Sequence, residues 1–216
     1  MRKEFSSAGR NSARAALGIP HDTLLLTVIG GSLGSVEVSE AVLECAPHLL
    51  QVFCKLEIHA QVRERTDRES SYSEANPPQS TSSIDTQERF RTTQFFDDMP
   101  QQLAASDIVL ARAGAGTCAE LLQMRVPSVL WPLATATDNH QMRNAEWMDR
   151  MGASVIFRPR TGTRTALGLA TVLERVIRDV HGRERMRESA KTGAGGVHVS
   201  AHIARILMRN LKDTCA

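Results

Sequence analysis

Two glycine-containing segments of the sequence have the residue types that bind phosphate groups. Residues 30–35 read Gly-Gly-Ser-Leu-Gly-Ser, and residues 111–122 read Ala-Arg-Ala-Gly-Ala-Gly-Thr-Cys-Ala-Glu-Leu-Leu. Each segment follows a short apolar run and leads into a helical pattern. Glycine lets backbone N–H groups approach an anion closely, and the N-terminus of the following helix attracts negative charge. Both segments are therefore candidate phosphate-binding loops.

The first segment, residues 30–35, also fits a simpler interpretation. It lacks the Gly-x-Gly-x-x-Gly dinucleotide fingerprint, and no Lys-Ser/Thr pair follows its glycines as in a Walker loop. A plain strand-to-helix turn would need one such glycine. The segment alone leaves a phosphate site and an ordinary turn as alternatives.

The second segment has two explanations for the same carboxylate. Thr117 and Glu120 have the spacing of a capping box, in which the hydroxyl and the carboxylate each accept a backbone N–H at the start of a helix. This interpretation leaves Gly114 and Gly116 without a role. Alternatively, Thr117 and the loop amides face a diphosphate while Glu120 accepts hydrogen bonds from ribose hydroxyls.

A third segment, residues 134–147, concentrates polar side chains at the start of a helix. Asp138 is a candidate N-cap with Gln141 at the third helical position, and this needs no ligand. The alternative is a sugar site, because a sugar is a dense array of hydroxyl groups. The polar side chains available for it are Asp138, Asn139, His140, Gln141 and Asn144.

Composition restricts the class of protein. The chain has 216 residues, of which 42% are hydrophobic and 23% are charged, and its formal charge is +2. These values fit one globular domain and disfavour nucleic-acid binding, since no Lys/Arg tract is present. The four cysteines show no metal-binding spacing and are expected to be reduced thiols in a cytoplasm-like compartment. We expect neither a secretory signal nor a membrane span.

The elements that position these segments alternate between strands and helices. Buried apolar runs predict strands at 23–30, 55–62, 107–112, 126–132 and 153–157. Helical patterns lie near 8–17, between residue 35 and Leu50, and near 98–105, 115–125 and 139–151; beyond Pro159 the pattern is helical with breaks at Gly182 and at 193–196. This order predicts a single α/β domain, a doubly wound Rossmann-like parallel sheet. The polar segment 66–83 is expected to be a flexible insert.

Taken together, four segments resemble the C-terminal half of the MurG family. They are residues 30–35, 93–99 (Thr-Gln-Phe-Phe-Asp-Asp-Met), 112–121 and 138–145 (Asp-Asn-His-Gln-Met-Arg-Asn-Ala), in the family's order and spacing. The family transfers N-acetylglucosamine (GlcNAc) from UDP-GlcNAc to the lipid-linked muramoyl-pentapeptide of peptidoglycan synthesis. The resemblance implies a GT-B glycosyltransferase whose donor-binding half spans residues 1–216.

The resemblance also implies roles for individual residues. Ser32 and Gly31 would lie near the diphosphate with Thr117 across from them, and Arg2 would lie close to the phosphates. The backbone of Phe96 would meet the uracil edge, and Glu120 would hold the ribose. His140 and Gln141 fall on sugar-contacting positions, and Asn144 supports their loop. The remaining donor-site candidates are Gly34, Arg112, Gly114 and Gly116.

Two departures from the family pattern matter. The chain has His59-Ala60-Gln61-Val62 where the family usually has a glycine-containing turn after the second strand. Nothing in the 216 residues matches the family's N-terminal half, which carries the proposed catalytic base and the acceptor site. The catalytic residues are therefore unknown from this sequence.

The expected function is inverting transfer of GlcNAc to a lipid-pyrophosphate acceptor, the lipid I to lipid II step, with this chain supplying the donor site. No cofactor and no metal is expected in this half. The expected partner is an N-terminal acceptor domain or subunit, which would place the chain in the cytoplasm or at the cytoplasmic membrane face. Alternatives are the donor-binding subunit of a two-part dolichol-linked GlcNAc transferase and a nonenzymatic nucleotide-sugar-binding module. A nucleotide-dependent oxidoreductase is disfavoured because Gly-x-Gly-x-x-Gly is absent.

Overall fold

A six-stranded parallel sheet organises the chain. The computed structural model describes residues 9–31, 34–63, 88–133, 139–160 and 164–196. The strand order is β3-β2-β1-β4-β5-β6. The strands are β1 Leu24–Ile29, β2 Leu56–Gln61, β3 Phe90–Thr93, β4 Ile108–Ala111, β5 Ser128–Leu130 and β6 Ser154–Ile156. The predicted doubly wound α/β fold is confirmed.

Helices occupy the connections between these strands. Within the described ranges they are α1 Arg10–Leu17, α2 Val36–Val52, α3 Met99–Ala105, α4 Ala115–Met124, α5 His140–Arg150, α6 Thr165–Arg178 and α7 Val180–Gly196. In this part of the chain, none of them combines the length and hydrophobicity needed to cross a bilayer. The predicted insert at 66–83 lies outside the described residues.

The core lies on both faces of the sheet. Leu26 and Val28 of β1 pack on one face with residues of α2 and α6. Leu25 packs on the opposite face beside α1 and α3, and Ile29 packs there with α4, α5 and α7. Successive side chains of a strand point to opposite faces, so a central strand covered on both sides is mostly apolar on both faces. Thr27 is the one polar residue of β1. This explains why the apolar runs at β1 and β4 are continuous rather than alternating.

The structure differs from the sequence-based predictions at β3 and after Asp179. Strand β3 was not predicted; it is short, and its side chains are at least partly exposed, so it lacks a buried apolar run. The predicted break at Gly182 is wrong, because α6 ends before Asp179 and the Asp179 carboxylate accepts the Gly182 N–H at 2.7 Å. The predicted break at 193–196 is also wrong, since α7 continues to Gly196. Glycine weakens a helix by roughly 1 kcal/mol relative to alanine without forbidding it.

A cluster of charged groups fastens α1 to the edge of the sheet where the strands begin. Asp107 precedes β4 and accepts hydrogen bonds from Arg10 (2.5 Å), from Arg14 (3.0 Å) and from the backbone N–H of Leu25 (2.9 Å). Arg187 of α7 lies 3.7 Å from the same carboxylate. The side chain of Arg14 is only 3% exposed. Its charge therefore depends on Asp107 for compensation.

The cysteines differ in exposure, and this predicts their reactivity. Burial raises the pKa of Cys45 and of Cys118 to about 12, whereas Cys54 is exposed. The thiolate is the reactive form, so the two buried thiols should remain inert at pH 8. In a Cys215→Ser variant, a thiol reagent is expected to label Cys54 quickly and the other two only after denaturation. Rapid labelling of Cys118 in the folded protein, read by peptide mass spectrometry, would contradict this assignment.

Candidate functional site

The candidate loops meet where the strand order reverses. Strands β1 and β4 are neighbours, with Ile29 paired to Ala111, and the following connections run in opposite directions across the sheet. In parallel α/β sheets, ligands bind in the crevice outside the carboxyl ends of the strands at this switch point. The loop 30–35 follows β1 and the loop 112–114 follows β4. The structure therefore places the two predicted phosphate-binding segments side by side.

The loop after β1 depends on glycine at several positions. A Cβ atom on Gly30 would lie 2.6 Å from the backbone nitrogen of Ser35, so only glycine fits there. Gly31 and Gly34 have φ values of 89° and 67°, in the left-handed region that favours glycine. Ser32 lies outside the described residues. The loop ends at Ser35, whose Oγ accepts the Val38 N–H at 3.3 Å and caps α2.

The loop after β4 leads into a helix without a side-chain cap. Helix α4 begins at Ala115, and its N-cap Gly114 is extended with φ −65° and ψ 149°. Thr117 is therefore the third helical residue and not the N-cap, so the predicted Thr117–Glu120 capping box is wrong. The helix starts three residues earlier than that pattern requires, because Gly114 supplies the extended conformation of an N-cap without a side chain. Thr117 and Glu120 are both half-buried on this first part of the helix.

Arg112 begins the loop after β4 and hydrogen-bonds to the loop after β1. Its guanidinium donates to Ser35 Oγ at 2.8 Å, to the Glu37 carboxylate at 2.6 Å and to the Trp131 carbonyl at 3.2 Å. It also lies 5.1 Å from the centre of the Trp131 ring, within cation–π range. The residue is 7% exposed. Arg112 therefore links the two candidate phosphate-binding loops.

The third segment contributes from the start of α5. The N-cap is Asn139, in the left-handed region with φ 55°, and Asp138 lies outside the described residues. The predicted Asp138 cap with Gln141 at the third position is therefore wrong, and Gln141 Oε1 instead accepts the Leu133 N–H at 3.0 Å. Asn144 donates to the Ala113 carbonyl at 3.0 Å, so it supports the loop after β4.

Two phenylalanines follow the unpredicted strand β3. Phe96 is half-buried, and its neighbour Phe95 is 62% exposed. The Thr93 hydroxyl shapes this turn by donating to the Phe95 carbonyl at 2.7 Å. Sequence reasoning selected Phe96 and missed Phe95. An adjacent pair of aromatic residues after a run of β-forming residues was the available signal.

The carboxyl edge of the sheet thus brings together the described candidates from the loops after β1, β3 and β4 and from the start of α5. They are Gly31, Gly34, Phe96, Arg112, Gly114, Gly116, Thr117, Glu120, His140, Gln141 and Asn144. Arg2, like Ser32, lies outside the described residues. No cluster of three or more potential metal ligands occurs among the residues that the structure describes. A cavity of about 730 Å³ lies along β6, with Arg158, Arg160 and Arg175 in its wall. None of its described lining residues belongs to the two glycine loops.

Comparison with known sequences identifies relatives over most of the chain. The family model described as Glycosyltransferase family 28 C-terminal domain matches residues 25–198. A protein of Salinibacter ruber named UDP-N-acetylglucosamine--N-acetylmuramyl-(pentapeptide) pyrophosphoryl-undecaprenol N-acetylglucosamine transferase is 32% identical over 197 residues, which cover 89% of this chain and 48% of the relative. A protein of the same name from Anaeromyxobacter dehalogenans (strain 2CP-C) is 36% identical over 175 residues, covering 81% and 42%. The chain spans about half the length of these curated relatives.

Solved structures agree on the fold. MurG from Acinetobacter baumannii superposes with a TM-score of 0.61 at 23% identity, covering 95% of this chain and 55% of that protein. WaaG, described as a glycosyltransferase involved in lipopolysaccharide biosynthesis, has a TM-score of 0.61 at 14% identity and covers 92% and 48%. The predicted half-GT-B architecture is confirmed by these neighbours.

The family match covers the sheet from β1 to β6 and includes the loops at the switch point. It agrees with the resemblance that the four sequence segments predicted, and that resemblance is confirmed. This chain belongs to the family defined by the glycosyltransferase family 28 C-terminal domain.

Proposed function

We propose that these residues form the donor site of an inverting glycosyltransferase that moves GlcNAc from UDP-GlcNAc to a lipid-pyrophosphate acceptor in peptidoglycan synthesis. The observation that carries the proposal is the pairing at the switch point of a glycine loop after β1 with the uncapped start of α4 after β4. Backbone amides and a helix N-terminus there suit a diphosphate. The relatives named above are N-acetylglucosamine transferases, which supports this choice of donor.

The proposal assigns a role to each loop and helix start at the carboxyl edge of the sheet. The loop of Gly31 and Ser32 binds the diphosphate from one side and the start of α4 at Thr117 from the other. In this proposal Phe96 meets the uracil edge through its backbone. The ring of Phe95, which is exposed, would cover the base. Glu120 accepts hydrogen bonds from the ribose hydroxyls.

The sugar lies over the start of α5 in this arrangement, where His140 is exposed and Gln141 is half-buried. The N-termini of α2 and α4 would stabilise negative charge as UDP leaves. We propose that these dipoles and amides serve in place of a metal ion. The uncapped start of α4 supports this, because its first amides are not engaged by a capping side chain.

The acceptor site and the base that deprotonates the acceptor hydroxyl are proposed to lie in an N-terminal half, a domain or a separate subunit, that the 216 residues do not cover. Through that partner the assembly would contact the cytoplasmic face of the membrane. On this division of labour, the 216-residue chain binds the donor without transferring sugar. Transfer by the purified chain would contradict it, and a chain that restores no transfer with any matching N-terminal half would indicate a nonenzymatic binding module.

The role of Glu120 gives a direct test of the donor site. A Glu120→Ala change is expected to weaken UDP-GlcNAc binding by about 10- to 100-fold, the loss of hydrogen bonds to a charged group. Because Glu120 forms no capping box in the structure, loss of a helix cap does not contribute to any change in the free energy of unfolding. Isothermal titration with UDP-GlcNAc, UDP-GalNAc and NAD measures affinity and donor preference, and a urea titration measures stability.

Glu120→Gln is the matched control, since it keeps the shape and an acceptor oxygen while removing the charge. It should retain part of the affinity that the alanine variant loses, because a neutral hydrogen bond is weaker than one to a charged group. If Glu120→Ala instead lost stability and kept full affinity, the carboxylate would be structural. Binding of NAD in preference to UDP-GlcNAc would reject the proposed function.

A further inference from the structure

Strand β2 carries polar side chains on a face that should be apolar. Glu57, His59 and Gln61 alternate with Leu56, Ile58 and Ala60, so the polar residues share one face of the sheet. Each of the three is only 5% exposed. Burying a polar group is unfavourable unless it is hydrogen-bonded. Their positions therefore need an explanation beyond core packing.

His59 links β2 to helix α3 through a directed chain of hydrogen bonds. Its Nε2 lies 2.9 Å from Glu57 Oε1, and a carboxylate can only accept, so Nε2 carries the proton. In the neutral ring Nδ1 is then the acceptor, and the Gln102 Nε2–H lies 3.0 Å from it. The same Gln102 amide donates to Thr27 Oγ1 of β1 at 2.9 Å. Helix α3 is thereby fixed to the two neighbouring strands.

Gln61 holds the other end of the segment that leads into α3. Its amide donates to the carbonyl of Gln94 at 3.2 Å, directly after β3. At the far end of the segment, Asp98 caps α3 by accepting the Gln101 N–H at 2.9 Å. We call the segment 94–98 the base loop. Gln61 of β2 bonds to the first residue of this loop, and His59 of β2 bonds to Gln102, which follows the loop in α3.

The base loop presents the backbone of Phe96. Among the residues that the structure describes, the backbone N–H of Phe96 donates no hydrogen bond to another backbone group, and its C=O begins the turn at 97–98 that leads into α3. A backbone N–H and C=O pair matches uracil, whose O4 accepts and whose N3–H donates. It mismatches cytosine, whose groups at these positions are reversed. Such recognition requires a fixed backbone orientation, because hydrogen bonds weaken steeply with angle.

We propose that His59 and Gln61 are positioning residues that hold the base loop in the orientation that selects uracil. This inference rests on the proposed donor site and adds the hydrogen bonds that make that site specific for one base. Preorganisation of a loop increases affinity by removing the ordering cost of binding.

The test uses the full 216-residue chain and measures UDP and CDP binding by isothermal titration. A Gln61→Ala change is expected to weaken UDP binding by about tenfold, the upper range for one neutral hydrogen bond. It should also reduce the preference for UDP over CDP, because the loop no longer has one orientation. His59→Ala should act in the same direction, and Gln61→Glu, which removes the donor while keeping the shape, should reproduce the loss of selectivity.

Asp107→Asn is the control for general destabilisation, since Asp107 lies at the opposite edge of the sheet. It should lower thermal stability while leaving the ratio of UDP to CDP affinity unchanged. Wild-type affinity and selectivity in both Gln61 variants would overturn the inference while leaving the donor site intact. Failure of the wild-type chain to bind UDP would instead reject the proposed function, and this inference with it.

Discussion

Replacing Asp107 by asparagine is expected to lower the free energy of unfolding by about 3 kcal/mol, because removal of one partner leaves a buried charge uncompensated. The carboxylate serves Arg10, Arg14 and the Leu25 amide together, and Arg14 is almost fully buried. For a chain of this size the midpoint of thermal unfolding should fall by roughly 6–12 °C. Urea denaturation with an unchanged m-value would show that the loss is one of stability.

Asp22→Asn is a matched control for that variant. Asp22 forms an ion pair with Lys55 at 2.7 Å, but both side chains are 66% exposed. Exposed pairs contribute little to stability because water and salt screen them. The control should therefore unfold like the wild type. Equal stability of the Asp107 and Asp22 variants would show that the α1 attachment is not a buried charge cluster.

A Gly30→Ala change is expected to disrupt the proposed donor site, because the added methyl group would collide with the backbone of the same loop. The new Cβ would lie 2.6 Å from the Ser35 nitrogen and 3.2 Å from Gly34 Cα, and both are backbone atoms that cannot rotate away. The loop and the start of α2 must shift. We expect a loss of about 1–3 kcal/mol of stability from overpacking and a loss of roughly 100-fold in UDP affinity from the misplaced amides.

Gly168→Ala provides the control at a glycine remote from the loops. Gly168 lies inside α6, and its added Cβ would make an ordinary contact of 3.6 Å with Phe157. Alanine in a helix interior should raise stability by about 0.5–1 kcal/mol and leave UDP affinity unchanged. Differential scanning calorimetry and titration of both variants separate the two effects. If the Gly30→Ala variant bound UDP with wild-type affinity, the loop after β1 would not be part of the proposed donor site.

The central sheet and the two glycine loops were predictable from the sequence. Strands β1 and β4 are covered on both faces, so their local composition records their burial. The order of strands and helices then places the loops 30–35 and 112–114 at one edge. This follows from general rules for parallel sheets and needs no knowledge of side-chain contacts.

The helix starts and the base loop were not predictable in the same way. Thr117 and Asp138 fit local capping patterns, yet α4 starts after Gly114 and α5 after Asn139. Side-chain bonds such as Gln141 to Leu133 compete with those caps over distances that a local pattern does not describe. The link from His59 to Gln102 joins residues 43 positions apart, so no local signal could reveal it.

The charged cluster that stabilises the chain and the candidate binding loops lie at opposite edges of the parallel sheet. The Asp107 cluster lies where the strands begin, and the glycine loops lie where they end. A strand of six residues such as β1 spans roughly 20 Å. Effects of substitutions this far apart usually add, so substitutions at the starting edge can raise or lower the stability of the chain without altering the loops at the opposite edge.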